Sequence, residues 1–171
     1  MSLKIRLATP EDAPAIAGIH VNSARFAYRG LLPDAVLDSL SLAAHEQRWL
    51  HGIENSEAER LLWVAADSGS VVGFCETGLS EDDDATPEDG HVGWLYVQHQ
   101  RIGTGVGRFL FDHAVANLRH RGFRQATLWV FRDNIRARRF YEAAGWHPDG
   151  TERIRDRGGS QVAEVRCAID L

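Results

Sequence analysis

The chain lacks any apolar run long enough to cross a membrane as a helix. None of its 171 residues falls in a window of roughly 18 consecutive apolar residues. Its first residues also lack the basic, apolar and small-residue succession of a secretory signal peptide. These absences predict a protein of the cytoplasm with no membrane partner.

Cysteine is scarce as well. Cys75 and Cys167 are the only two, and each lies in an apolar stretch that resembles a strand. Their spacing fits neither a metal cluster nor a disulfide framework. We therefore predict two buried thiols and no metal site.

Lysine is nearly absent, because Lys4 is the only one among 19 basic residues, and the formal net charge is −5. This balance is not that of a nucleic-acid-binding protein, so no nucleic acid is expected as a partner. Nine arginines nevertheless lie within residues 101–139, against two acids, Asp112 and Asp133. This local excess of positive charge would suit a compact polyanion.

Acidic residues are concentrated elsewhere, in the segment 81–89, where six of nine residues are Asp or Glu around Thr86-Pro87. Such a run predicts an exposed loop. Two interpretations are open: a solvated loop without a function, or a negative potential that attracts a polyamine or another cation.

Hydrophobic periodicity predicts one mixed α/β domain over residues 1–171, with helices on both faces of a sheet. Thr9-Pro10 marks a helix start after a short alternating run, and a second helical stretch is predicted over 34–51. Asn134 is expected to cap a later helix that Gly145 ends. The predicted strands are Leu61–Asp67 and Ser70–Leu79, joined as a hairpin, then 91–97, 126–131 and a closing strand through Val165, Cys167 and Ile169.

The most distinctive segment is QRIGTGVG, residues 100–107, between a predicted strand and a predicted helix. Its three glycines would let backbone N–H groups approach an anion at the amino end of the helix. A flexible turn before an ordinary helix is the alternative. Two nucleotide motifs fit poorly. Arg108-Phe109 stands where a P-loop has lysine and Ser or Thr, and Arg108 stands where a dinucleotide motif has its third glycine.

Two segments together resemble the GCN5-related N-acetyltransferase (GNAT) superfamily: LYVQHQRIGTGVGRFL, residues 95–110, and NIRARRFYEAAGW, residues 134–146. The resemblance extends over about residues 61–147. It implies a mixed, mostly antiparallel sheet flanked by helices, and acetyl-CoA as the cofactor. The chain departs from the family at Ile102, where an arginine or glutamine is usual, and at His99, where proline is usual.

The resemblance also implies which residues hold the cofactor. The glycine turn would bind the pyrophosphate, with Arg101 or Arg108 replacing the contact that Ile102 cannot make. Asn134 would contact the pantetheine arm, and amides near Leu95 would polarise the thioester carbonyl. The implied cofactor-binding residues are Leu95, Tyr96, Val97, Arg101, Ile102, Gly103, Thr104, Gly105, Val106, Gly107, Arg108, Asn134 and Tyr141.

Three residues are candidates for proton transfer. Tyr141 matches the family tyrosine that protonates the departing thiolate, although a core aromatic beside Phe140 is the alternative. His91 occupies the position where the family often has a glutamate base, and Glu76 on the preceding strand competes with it. Either could be a polar strand-end residue facing water, so the base is left open.

The acceptor is the least determined part of the site. Phe26 and Tyr28 lie where the family's first helices wall the acceptor, and simple helix packing is the alternative. The resemblance implies transfer of an acetyl group to a primary amine of a small molecule or amino acid. Because neither cysteine matches a family nucleophile, direct transfer in a ternary complex is expected. A noncatalytic acyl-CoA-binding module and a nucleotide-binding regulator are the alternatives, and exposed strand edges make a homodimer plausible.

Overall fold

A computed structural model describes the chain over residues 3–55 and 59–171. Within them the strands form one seven-stranded sheet in the order β1-β2-β3-β4-β5-β7-β6. Neighbouring strands are antiparallel, apart from β4 and β5, which are parallel. The mixed, mostly antiparallel sheet is therefore confirmed. Its strands are β1 Leu3–Leu7, β2 Leu61–Asp67, β3 Ser70–Leu79, β4 Asp89–Val97, β5 Gln125–Phe131, β6 His147–Arg157 and β7 Ser160–Asp170.

Helices cover both faces of the sheet, as predicted. On one face Ile16 and Trp49 pack against Phe74, and on the other Phe111 and Leu118 belong to the larger core cluster. None of the helices in residues 3–55 and 59–171 combines the length and apolar character needed to span a bilayer. The helices are α1 Ala13–Ala27, α2 Asp34–Asp38, α3 Leu42–Glu54, α4 Val106–His120 and α5 Ile135–Ala143.

Local turn and capping signals account for the elements that were predicted best. The β2–β3 hairpin has the predicted bounds, and its turn places Ser68 and Gly69 at positive φ, which matches the right-handed twist of the strands. The side-chain oxygen of Asn134 accepts a hydrogen bond from the Ala137 amide and caps α5. Cys75 and Cys167 are free and buried, as predicted.

Two predictions of secondary structure were wrong. The single helical stretch over 34–51 is two helices, because Ser41 has an extended backbone and its hydroxyl caps a new helix at the Ala44 amide. The strand β6 was missed altogether. It is an edge strand whose residues are mostly exposed, and even Ile154 is 69% exposed, so it shows no apolar alternation.

The position of the site follows from two irregularities in β4. Between β3 and β4, Cys75 pairs with Leu95 and Thr77 pairs with Val92, so Glu76 lies opposite two residues, Gly93-Trp94, in a β-bulge. On its other side, β4 pairs with β5 only over Asp89–His91. Beyond His91 the two parallel strands separate and leave an opening in the sheet.

Candidate active site

A cavity of about 680 Å³ lies where β4 and β5 separate. Its walls come from α1, the strands β3, β4 and β5, the turn after β4, α5 and the outer strand β6. It brings together most of the residues predicted for the site, which are Phe26, Tyr28, Glu76, His91, Leu95, Tyr96, Val97, Arg101, Ile102, Gly103, Gly105, Gly107, Arg108, Asn134 and Tyr141.

The side chains of Thr104 and Val106 are not brought to this cavity. The exposed Thr104 hydroxyl donates to the Arg101 carbonyl at 2.7 Å, and the Val106 side chain is buried in the core under α4. Any contact that these two residues make with a ligand would therefore use their backbone amides.

The glycine turn gives an open approach to the amino end of α4. Gly103 and Gly105 have φ of 78° and 90°, in the left-handed region that favours glycine, and a Cβ at either would meet no atom within 4 Å. Gly107 differs, since a Cβ there would lie 3.3 Å from Val97 Cγ2. Two glycines therefore keep the anion approach open, whereas Gly107 allows α4 to pack closely on β4.

Both arginines beside the turn are held by acidic partners. Arg101 Nη2 lies 2.9 Å from Asp67 Oδ2, and Arg108 Nε lies 2.7 Å from Asp112 Oδ1. Ile102, at the usual arginine or glutamine position, is 42% exposed. The turn therefore offers an anion backbone donors together with two flanking guanidinium groups.

Tyr141 lies on the cavity side of α5, and its ring contacts Phe111 and Phe140 at centroid distances of 5.5 Å and 5.4 Å. Burial raises the pKa of the Tyr141 hydroxyl well above its usual value. The phenol therefore keeps its proton at neutral pH and can donate it.

Glu76 and His91 flank the same glycine at the bulge. A Cβ on Gly93 would lie 2.9 Å from Glu76 Oε1 and 3.8 Å from His91 Cδ2, so the absence of a side chain makes room for both groups. Burial raises the pKa of the Glu76 carboxyl, and Arg60 opposes that shift. Burial lowers the pKa of His91. The first shift makes the Glu76 carboxylate a stronger base, whereas the second keeps the His91 imidazole neutral at pH 7 and makes it a weaker base.

His91 is also connected to the acidic segment through Thr127. His91 Nδ1 lies 3.3 Å from Thr127 Oγ1, and the Thr127 hydroxyl donates to Asp82 Oδ2 at 3.3 Å. Because that hydroxyl has one proton, the two hydrogen bonds together require Nδ1 to donate, which leaves Nε2 unprotonated. Trp129 Nε1 donates to the other Asp82 oxygen at 2.9 Å and fixes the carboxylate.

The prediction of an exposed acidic loop is therefore wrong for part of 81–89. The Asp82 side chain is only 13% exposed. The buried Arg166 on β7 binds Asp84 through both Nη atoms, Asp82 through Nη1 and Asp149 through Nε. The loop folds back because this buried guanidinium needs carboxylate partners.

The two predicted acceptor residues have different surroundings. Tyr28 is held in the wall, with its hydroxyl 2.9 Å from that of Tyr96 and its ring 4.5 Å from Phe131. Phe26 is 54% exposed, stacks on His99 and lies under the Arg136 guanidinium. Tyr28 therefore both packs and lines the cavity, whereas Phe26 lies at its exposed edge.

Several cavity residues were missed from the sequence. Ser23 donates to the Val97 carbonyl at 2.9 Å and ties α1 to β4. The largest omission is the row of alternating arginines in β6, in the stretch ERIRDR, whose spacing of two residues was the signal available. Other cavity residues missed from the sequence include Arg60, Trp129, Arg153, Arg155, Arg157 and Glu164.

Comparison with known proteins gives a family match. The profile described as "Acetyltransferase (GNAT) family" matches residues 26–146. The chain is 34% identical to aminoglycoside N(6')-acetyltransferase type 1 of Stenotrophomonas maltophilia, over 88% of each chain. It is 31% identical to the uncharacterized N-acetyltransferase YuaI of Bacillus subtilis, over 76% of this chain and 72% of YuaI.

The fold is also similar to solved structures. The PaiA N-acetyltransferase from Thermoplasma acidophilum, in complex with coenzyme A, superposes with a TM-score of 0.78 over 100% of both chains, at 20% identity. A putative phosphinothricin N-acetyltransferase superposes with a TM-score of 0.76 over 99% of this chain and 98% of its own, at 22% identity.

Proposed function

Because the chain belongs to the acetyltransferase (GNAT) family, we propose that its cavity transfers an acetyl group from acetyl-CoA to a primary amine of a small molecule or amino acid. The chain is an N-acetyltransferase, as its relatives are, and we propose that it works as one domain. The observation that carries the proposal is that a proton donor, Tyr141, and two proton acceptors, Glu76 and His91, line the same cavity as the glycine turn.

The residues present fit acetyl-CoA, which supplies the acetyl group as an activated thioester. The backbone at Gly103 and Gly105 is open and lies at the amino end of a 15-residue helix, where a pyrophosphate is stabilised by amides and the helix dipole. The amide nitrogen of Asn134 is left for the pantetheine arm, since its oxygen caps α5. Beyond His91, β4 has no β5 ladder, so its main chain around Leu95–Val97 is left to face a ligand.

Tyr141 acts in this proposal as the general acid. As the new N–C bond forms and the C–S bond breaks, the phenolic hydroxyl gives its proton to the departing sulfur. Burial keeps the hydroxyl protonated at neutral pH, so its proton is present when the thiolate develops, while the raised pKa makes the phenol a weaker acid than an exposed tyrosine.

The general base is His91 or Glu76, which takes the proton that the amine loses. For His91, the hydrogen bond from Nδ1 to Thr127 leaves Nε2 free to accept. For Glu76, burial at the bulge makes the carboxylate a stronger base than an exposed one. Both groups lie beside Gly93, so either serves the same region of the cavity.

The positions of the two cysteines favour direct transfer in a ternary complex, because neither thiol is suited to carry the acetyl group. Neither Cys75 nor Cys167 is among the described residues that line the cavity, and burial raises the pKa of both thiols. A buried, protonated thiol is a poor nucleophile. An acyl-cysteine intermediate would therefore have no suitable residue.

The test of the proposed function is thiol release from acetyl-CoA in the presence of a panel of primary amines. We expect free coenzyme A to appear only when an accepted amine is present. Binding of coenzyme A without thiol release for any amine would instead support the noncatalytic binding module.

Replacing Asp82 by asparagine is expected to lower the pKa of His91. Burial lowers that pKa, and the negative charge of the Asp82 carboxylate raises it. Among the other charged neighbours, Arg153 and Arg60 lower the pKa and Glu81 raises it. NMR titration of the His91 ring protons measures the shift without any acceptor. Asp83→Asn is the matched control, because Asp83 is exposed in the same loop. A His91 pKa unchanged in Asp82→Asn would contradict the effect of the Asp82 charge on His91.

A further inference from the structure

Three arginines on β6 share one side of the cavity. Side chains alternate along a strand, so Arg153, Arg155 and Arg157 lie on the same face of β6, and all three line the cavity. Ile154 and Asp156 lie on the opposite face. The row is therefore a property of the cavity wall rather than a scatter of surface charges.

The row has fewer acidic partners than its charge requires. Glu164, whose side chain is 3% exposed, accepts from Arg153 Nε at 2.6 Å and from Arg157 Nη2 at 2.7 Å. One carboxylate thus serves two guanidinium groups with both of its oxygens. Asp82 lies 3.9 Å from Arg153 but is also bound by Arg166.

Two donors in the row remain without a protein acceptor. Arg157 Nε is buried and has no hydrogen-bond partner among the described residues. Arg155, between the two arginines bound to Glu164, forms no ion pair with any residue in 3–55 or 59–171. Arg155 is exposed and lines the cavity, so its guanidinium can bind an anionic group there. Arg157 Nε is enclosed by protein, so a contact of Arg157 with a ligand would use its Nη atoms.

The proton acceptors of the same cavity, Glu76 and His91, lie on β3 and β4, across the sheet from β6. Resting on the proposed function, we propose that the acceptor is an amine that also carries a carboxylate, bound by Arg155 and Arg157 while its amino group faces Glu76 and His91. Guanidinium groups bind carboxylates through paired, charge-assisted hydrogen bonds. Amino acids and short peptides belong to this class.

A polycationic acceptor is less compatible with the same contacts. Asp82 and Asp84 of the acidic segment already bind Arg166, which occupies carboxylate oxygens that an additional ammonium group would need. The β6 arginines would in addition repel a second ammonium group.

The experiment compares amino acids with their amides as acceptors in the thiol-release assay. The amide lacks the carboxylate charge, and its amino group is less basic, so chemical reactivity alone favours the amide. We expect the acids to have the higher kcat/KM. For Arg155→Met we expect KM for the acids to rise about tenfold, with kcat and the values for the amides little changed.

Arg155→Lys, which keeps the charge, is expected to retain most of the preference for acids. Arg119→Met is the matched control, since Arg119 is exposed on α4 and outside the cavity lining. Amides or spermidine acetylated as well as the acids, or equal losses for acids and amides in Arg155→Met, would overturn the carboxylate site and leave the proposed function standing. If none of the acids, amides or polyamines causes thiol release, the proposed function is overturned, and the carboxylate site with it.

Discussion

Tyr141→Phe is expected to lower kcat about 100-fold, at the lower end of what a lost general acid costs. Phenylalanine keeps the ring that contacts Phe111 and Phe140, so packing should change little. Only the buried hydroxyl, with its proton, is lost. The dissociation constant of coenzyme A, measured by calorimetry, should stay the same, because the phenol acts on the departing sulfur as it develops charge.

Tyr28→Phe is a suitable control for this variant. It also removes a phenol from the cavity wall, but the Tyr28 hydroxyl is bound to that of Tyr96. We expect a much smaller effect on kcat than for Tyr141→Phe. An unaltered kcat in Tyr141→Phe, or equal losses in the two variants, would remove Tyr141 from the chemistry.

Gly105→Val is expected to weaken coenzyme A binding about 100-fold, or about 2.8 kcal/mol. Gly105 is the N-cap of α4 with φ of 90°, a conformation that a β-branched residue adopts only with strain. The new side chain would occupy the open space at the turn, and the backbone would move its amides out of position. The strain alone should cost about 1–3 kcal/mol of folding free energy.

Gly122→Val separates the two effects. Gly122 follows the other end of α4, has the same φ of 90°, has no atom within 4 Å of a Cβ and is outside the cavity lining. We expect a similar fall in Tm and no change in coenzyme A affinity. Equal losses of affinity in both variants would mean that the glycine turn acts only through stability.

Prediction from the sequence succeeded where the signal was local. The β2–β3 hairpin follows from Asp67-Ser68-Gly69-Ser70, and the start of α5 follows from the capping preference of Asn134. The glycine turn was recognised for the same reason, because its three glycines lie within a segment of eight residues at the start of an amphipathic helix. The role of Gly107 was not, since it depends on contact with Val97 of β4.

The parts that were missed depend on contacts far apart in the sequence. Asp82 and Arg166 are separated by 84 residues, so nothing near the acidic segment shows that it folds back. Trp129 adds a further contact, since its indole donates to Asp82 and its ring lies 3.9 Å from the Arg153 guanidinium. The strand β6 owes its position to pairing with β7 rather than to its own apolar pattern. The acceptor half of the cavity was therefore the least predictable part.

Titration of coenzyme A into the purified, folded chain by isothermal calorimetry tests most directly whether the opening between β4 and β5 holds the cofactor. We expect saturable binding of one coenzyme A per chain, with the affinity reduced in Gly105→Val and retained in Gly122→Val. No heat of binding at millimolar coenzyme A, from protein whose folding is confirmed by a cooperative thermal transition, would contradict it.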